Sequence, residues 1–203
     1  MWNRRKRLTD SGMKAPVGPH MEAPDLRDPA EMAGVDLTGV DLTGANWPGA
    51  HLTGGRLSEV NLTGANLTGA FLNFADLTGA NLRSANLTGA NLTGAHLTDA
   101  NLTDANLTDA KLNGANLRSA NLTDANLNGA NLRSANLRSA NLEGARIGGA
   151  DLSGAELGDV DLTDAFWCNT VLPDGMNSND DPLLPRIDRD TATELGIDRG
   201  AAL

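Results

Sequence analysis

From Val35 to Asp174 the chain repeats one five-residue order without interruption: small apolar, polar, large apolar, polar, polar. VDLTG, VDLTG, ANWPG and AHLTG open the series, ANLTG, ANLRS and ANLTD variants fill it, and TVLPD ends it. With the middle residue called i, Leu holds i in 25 of 28 units, the exceptions being Trp47, Ile147 and Trp167. Ala holds i−2 in 22 of them; Val35, Val40, Gly55, Val60, Val160 and Thr170 are the departures.

A period of five suits neither regular element. On an α-helix successive Leu residues would step by about 500° and scatter round the surface. On a flat strand an odd period sends alternate Leu residues to opposite faces. A short extended segment followed by a turn turns every Leu inward, with i−2 on the same face. Asn, Thr, Gly, Asp and Arg at i−1, i+1 and i+2 suit turns and water. Four such sides close a square of about 20 residues, and squares stacked at about 4.8 Å make a rod of about seven coils, roughly 34 Å long. The small Ala fits where four sides converge. Each coil buries little by itself, so the predicted stability comes from stacking on its neighbours.

The A(N/D)LxG pattern resembles the pentapeptide-repeat family over residues 35–174, about two-thirds of the chain. The resemblance implies an all-β fold, a right-handed quadrilateral β-helix; the handedness comes from the resemblance and not from the period. Ala165-Phe166-Trp167-Cys168 through Gly175 also resembles the way many members end their arrays.

Open ends of such a stack invite edge-to-edge aggregation, so caps are expected. Asp28-Pro29-Ala30-Glu31 has an N-cap residue, Pro at N1 and Glu at N3, and predicts a short capping helix over 28–34 that lays Met32 on the first coil. At the other end Phe166, Trp167 and Leu172 are the expected closure, and a homodimer, if formed, is expected through an end cap. The chain thus divides into a mobile leader, 1–34, the array, 35–175, and a partly helical or disordered tail, 176–203. The tail carries a second capping-box pattern at Thr191 to Glu194.

Composition narrows the function. Of the 203 residues 26 are acidic and 16 basic, a net charge of −10, which argues against direct binding of nucleic acid. A single cysteine, Cys168, rules out an internal disulfide framework. No run approaches the ~20 apolar residues of a membrane span. A cytoplasmic, reducing setting is expected.

Catalytic chemistry needs convergent groups. His20 lies in the leader, while His51 and His96 are 45 residues apart and fall on different sides of a 20-residue square. Cys168 occupies an outward i+1 position and reads as a passive thiol. The Asn-Leu-Thr triplets are formal glycosylation acceptors, but the repeat generates them by itself. No catalytic residue, cofactor or metal site is expected. Phe71 at i−1 and Phe74 at i+2 face outward on one side and mark a local apolar patch, or rings folded back over a corner.

Charge, in contrast, sorts by side. The side centred on Leu37, Leu57 and onward carries net −3, and the next, centred on Leu42 through Leu162, net −5; the other two balance. The expected partner-binding side is therefore the second: Asp41, Asp104, Asp124, Glu143, Asp161 and Asp164 against Arg83 alone. Such clustering can steer a basic partner. The expected function is a non-enzymatic interaction scaffold for a protein partner. The alternative follows from family members that protect type II topoisomerases from quinolones: an acidic DNA mimic acting on DNA gyrase or topoisomerase IV. Against it, ~34 Å of duplex holds about 20 phosphates, and the array's charge of −8 is only about 40% of that. An enzyme using the rod as a platform is the remote reading.

Overall fold

The computed structural model describes residues 32–173. Their backbone pairing has one rule: each i−1 residue forms a parallel bridge with the i−1 residue twenty positions on. One ladder climbs from Asp36 through Arg56, Asp76, His96, Asn116 and Asn136 to Glu156; three more start at Asp41, Asn46 and His51. Four ladders around a 20-residue step are the four sides that the period of five demands.

Each side pairs through a single residue per coil, shorter than the extended segment the pattern predicts. The reason is that the turn consumes the rest of the unit. The N–H of Leu102 donates to the carbonyl of Asn121 one coil on (2.6 Å), and the N–H of Asn101 donates back to the carbonyl of Ala80 (2.9 Å). The N–H of Ala105 then closes a turn onto the carbonyl of Leu102 (3.0 Å). At every corner from Gly34 to Asn169 the i+2 residue has positive φ, between 55° and 71°. A left-handed residue at the third position alone is the signature of a type II turn. Gly at i+2 meets that demand at least cost, and Asp, Asn and Ser tolerate it. Glu59 and Phe74 accept it too, at φ 58° each.

The consensus Asn or Asp at i−1 has its own local task. Asn106 Oδ1 accepts the N–H of Thr108 (3.1 Å) and its hydroxyl (2.7 Å). The same pair of bonds recurs at Asn61, Asn66, Asn86, Asn101 and Asn121. These bonds hold the chain in the bend that leads into the turn. The repeat consensus is thus a folding code before it is a surface.

Inside, Leu at i and Ala at i−2 form one continuous buried column from Leu52 to Leu152, broken in sequence only by Val60, Gly55 and Ile147. Trp167 and Leu172, two of the expected C-terminal closure residues, are buried, and Phe166 is half-buried. Thr170, the polar departure at i−2, is buried and donates its hydroxyl to the carbonyl of Ile147 (2.7 Å). Toward the other end Leu42 and Trp47 are only half-buried against the core.

Most of the helix expected over 28–34 lies outside the described residues, as do the leader before it and the tail after 173. Of its end, Met32 packs against the core, as expected, but Ala33 and Gly34 form a turn with Gly34 at φ 71°. Gly34 N–H donates to the Thr53 carbonyl and Val35 N–H to the Met32 carbonyl, the same two bonds that the repeat turns make from Gly39 to Gly154. Read again, Ala30-Glu31-Met32-Ala33-Gly34 carries the repeat spacing with Met in place of Leu. Met32 itself is helical, so the end of the expected helix runs directly into this turn.

Candidate interaction surface

The bridge ladders put the sequence-sorted charges on real sides. Asp41 and Asp161 stand on the ladder that begins at Asp41. Asp104, Asp124 and Asp164 occupy its corner, at φ 59°, 56° and 55°, and Glu143 occupies i+1. All six are exposed. Turn chemistry allows acid at this corner: Asp is one of few side chains that sit comfortably in left-handed backbone.

The two acidic sides differ in how far they are neutralised. On the first, Arg56 lies 3.8 Å from Asp36 and Arg138 lies 3.1 Å from Glu156, while Glu59, Asp76, Asp99 and Asp159 have no ion pair among the described residues. On the second, Asp41, Asp104, Asp124, Glu143 and Asp161 have no ion pair among the described residues. Asp41 is held below the ordinary carboxylate pKa by the Thr43 hydroxyl and then the Thr43 N–H, so it stays ionised at neutral pH. An open groove cuts this corner between Asp124, Glu143 and Asp164, with Thr123, Gly144 and Phe166 completing its walls. Gly144 leaves room at this corner for the Asp124 carboxylate, which lies over it. Sequence sorting found the acids but not the groove, which depends on Phe166 of the adjoining side.

The remaining candidate groups disperse. His51 stacks on Phe71, ring centroids 4.5 Å apart and planes at 17°. His96 lies near Asp76, whose pKa is lowered although burial opposes the shift: hydrogen bonds from Thr78 and Ser58 and the imidazole outweigh it. Cys168 is exposed. Among the described residues no three His, Cys, Asp or Glu side chains gather around a metal-sized point, and no helix is long and apolar enough to cross a membrane.

This geometry defines a class: a four-sided β-solenoid that presents flat, hydrogen-bonded faces. The family model for pentapeptide repeats matches in eight copies, over 30–69, 56–94, 80–118, 100–138 and 115–154. The chain belongs to the pentapeptide-repeat family, whose fold is the right-handed quadrilateral β-helix. The match begins at residue 30, shortly before the turn at Ala33–Gly34. Among solved structures, a trypsin-treated variant of QnrB1, a plasmid-mediated fluoroquinolone resistance protein, is similar at 20% identity and TM-score 0.64, covering 81% of this chain and 85% of that one. Full-length QnrB1 gives 19% identity and TM-score 0.55 over 80% and 84% of the two chains. Rfr23 of the cyanobacterium Cyanothece 51142 is 30% identical with TM-score 0.38, over 68% and 90%. No curated protein matches the chain.

Proposed function

We propose that the protein is a non-enzymatic cytoplasmic scaffold, an array of about seven coils over 35–175 closed near Phe166, Trp167 and Leu172. Its second side binds a basic protein. One observation carries the reading: none of the five exposed carboxylates Asp41, Asp104, Asp124, Glu143 and Asp161 on that side has an ion pair among the described residues, whereas on the first side arginines pair with two of the six acids, Asp36 and Glu156. Unneutralised charge on one face of a rigid rod raises the encounter rate with a positive surface. The groove beside Gly144 gives that face a recess for a cationic side chain.

A second reading, a DNA mimic acting on gyrase or topoisomerase IV, is favoured by the same acidic rod together with the fold shared with QnrB1, a fluoroquinolone resistance protein. One variant tests both. In Asp104→Asn/Asp124→Asn two corner charges one coil apart are lost, and Asn tolerates the left-handed turn as Asn169 does. The scaffold reading expects the parent to retain a partner from native lysate at low salt and the variant to lose it. The mimic reading further expects parent protein to inhibit gyrase supercoiling, with the variant weaker and Asp109→Asn unchanged. A parent without effect on gyrase at micromolar concentration and low salt discards the mimic. Partner retention untouched by the double variant discards the acidic side.

A further inference from the structure

We infer that the corners Asn113-Gly114 and Asn128-Gly129 are latent modification sites. The closed stack keeps both side-chain amides inert, and an opened coil lets each cyclise to a succinimide and hydrolyse to isoaspartate. These are the two Asn-Gly pairs in the chain. The first step is intramolecular. The glycine nitrogen gives up its proton and bonds to the side-chain carbonyl carbon of Asn. The bond from that carbon to Nδ2 breaks, and Nδ2 leaves as ammonia with the proton. Water then opens the imide at either carbonyl, to aspartate or to isoaspartate. Glycine favours the step because it has no Cβ to crowd the attacking nitrogen. The Asn residues at i−1 precede Leu, or Trp at Asn46, whose side chains obstruct the same attack.

Hydrogen bonds hold the reacting atoms apart. Gly114 N–H donates to the Arg133 carbonyl one coil on (2.8 Å), while Asn113 Oδ1 accepts the Thr93 hydroxyl from the coil before (3.0 Å). Nucleophile and electrophile are tied to opposite neighbours. At the second pair Gly148, one coil on, takes both groups: its carbonyl accepts the N–H of Gly129, and its N–H donates to Asn128 Oδ1, each at 2.9 Å. Asp109 also carries its carboxylate over Gly129, and a negative charge there opposes loss of the amide proton. Every one of these partners belongs to another coil, so all are lost when one coil lifts. Both glycines are exposed, so water and base reach them once the bonds break. Position adds protection. Both pairs lie two coils or more inside the described array, and in a stack whose coils touch only their neighbours the ends open first. The change runs one way. Isoaspartate routes the main chain through the former side chain, which adds one atom to a five-residue unit and a negative charge to its corner. A coil that has reacted no longer restacks in register.

The test incubates the full chain at mildly alkaline pH, in buffer and in concentrated urea. Trypsin then separates the two sites, as the peptides Leu112–Arg118 and Ser119–Arg133. Mass spectrometry reads the conversion of amide to acid, and enzymatic methylation reads isoaspartate. In urea both peptides should convert. In the closed stack each should convert slower by roughly a hundredfold, because the reaction follows the population of the open state. Leu107→Ala weakens the stack without touching either pair and should raise the rate in buffer by roughly tenfold. After ageing in urea and dilution, the parent should lose refolding yield in step with its isoaspartate. Asn113→Thr/Asn128→Thr, with the residue most common at i+1, should keep its yield. Equal rates in buffer and urea, a rate in buffer unmoved by Leu107→Ala, or a converted parent that refolds fully would each overturn the proposal.

Discussion

Asp124 carries its carboxylate over Gly144, the residue one coil further along the same corner, so that a Cβ on Gly144 would collide with Asp124 Oδ1. Gly144 is also at φ 66°. Two penalties therefore fall on Gly144→Ala, and a control separates them. Gly114 has nearly the same φ, 67°, and open space around its Cβ position. Gly114→Ala should cost about 1–2 kcal/mol through the left-handed backbone alone. Gly144→Ala should cost more by chemical denaturation, and Asp124→Ala should remove the excess. Equal losses at both glycines would show that the carboxylate swings away freely.

The inward column predicts a second contrast. Leu107 is 1% exposed, and truncation to Ala should cost about 2–5 kcal/mol through lost burial and a cavity. Thr108, next to it, is half-buried and bonds through its hydroxyl to Asn106. From the sequence it reads as an outward residue whose removal is nearly neutral; the hydrogen bond raises the expected cost of Thr108→Ala to about 0.5–1.5 kcal/mol. Denaturation midpoints of the two variants check the order.

Acid should loosen the rod. Asp41, Asp76 and Asp151 all have pKa values lowered in the folded protein. A carboxylate with a lowered folded value stabilises fully above its unfolded pKa, about 3.9, and loses that contribution as pH falls through the folded value. Melting temperature should therefore drop below about pH 4. Asp76→Asn keeps an acceptor for Thr78, as Asn61 serves Thr63, yet has no proton to gain. Its melting curve should fall less steeply between pH 5 and pH 2.5, and a slope identical to the parent's would remove Asp76 from the account.

The C-terminal end of the stack supplies a fourth test. Val171 bridges Asp151, its N–H donates to the Ala150 carbonyl, and Leu172 is buried. Truncation after Thr170 strips this rung and bares the edge below it, and such edges pair with other chains. Light scattering should detect soluble aggregates. A monomeric truncation with the parent's melting temperature would place the closure elsewhere.

The amino-acid sequence by itself determined the repeat, the inward pair at i−2 and i, the 20-residue step and the sorting of acids onto two adjacent sides. It could do so because each depends only on spacing, and a strictly periodic chain has few ways to bury every Leu at once. The tertiary structure decided what spacing does not encode. It assigned left-handed backbone even to Glu59 and Phe74, since a stacked coil imposes its neighbours' corner geometry on whatever residue stands there. Gly34 joined the turns through its hydrogen bond to the coil above, directly after helical Met32. Contacts across coils, Asp124 on Gly144, Phe74 on Gly94 and Phe166 beside Asp164 in the groove, bring together residues of different rungs or sides. They are set by side-chain rotamers and the offset between coils, which a five-residue pattern leaves free.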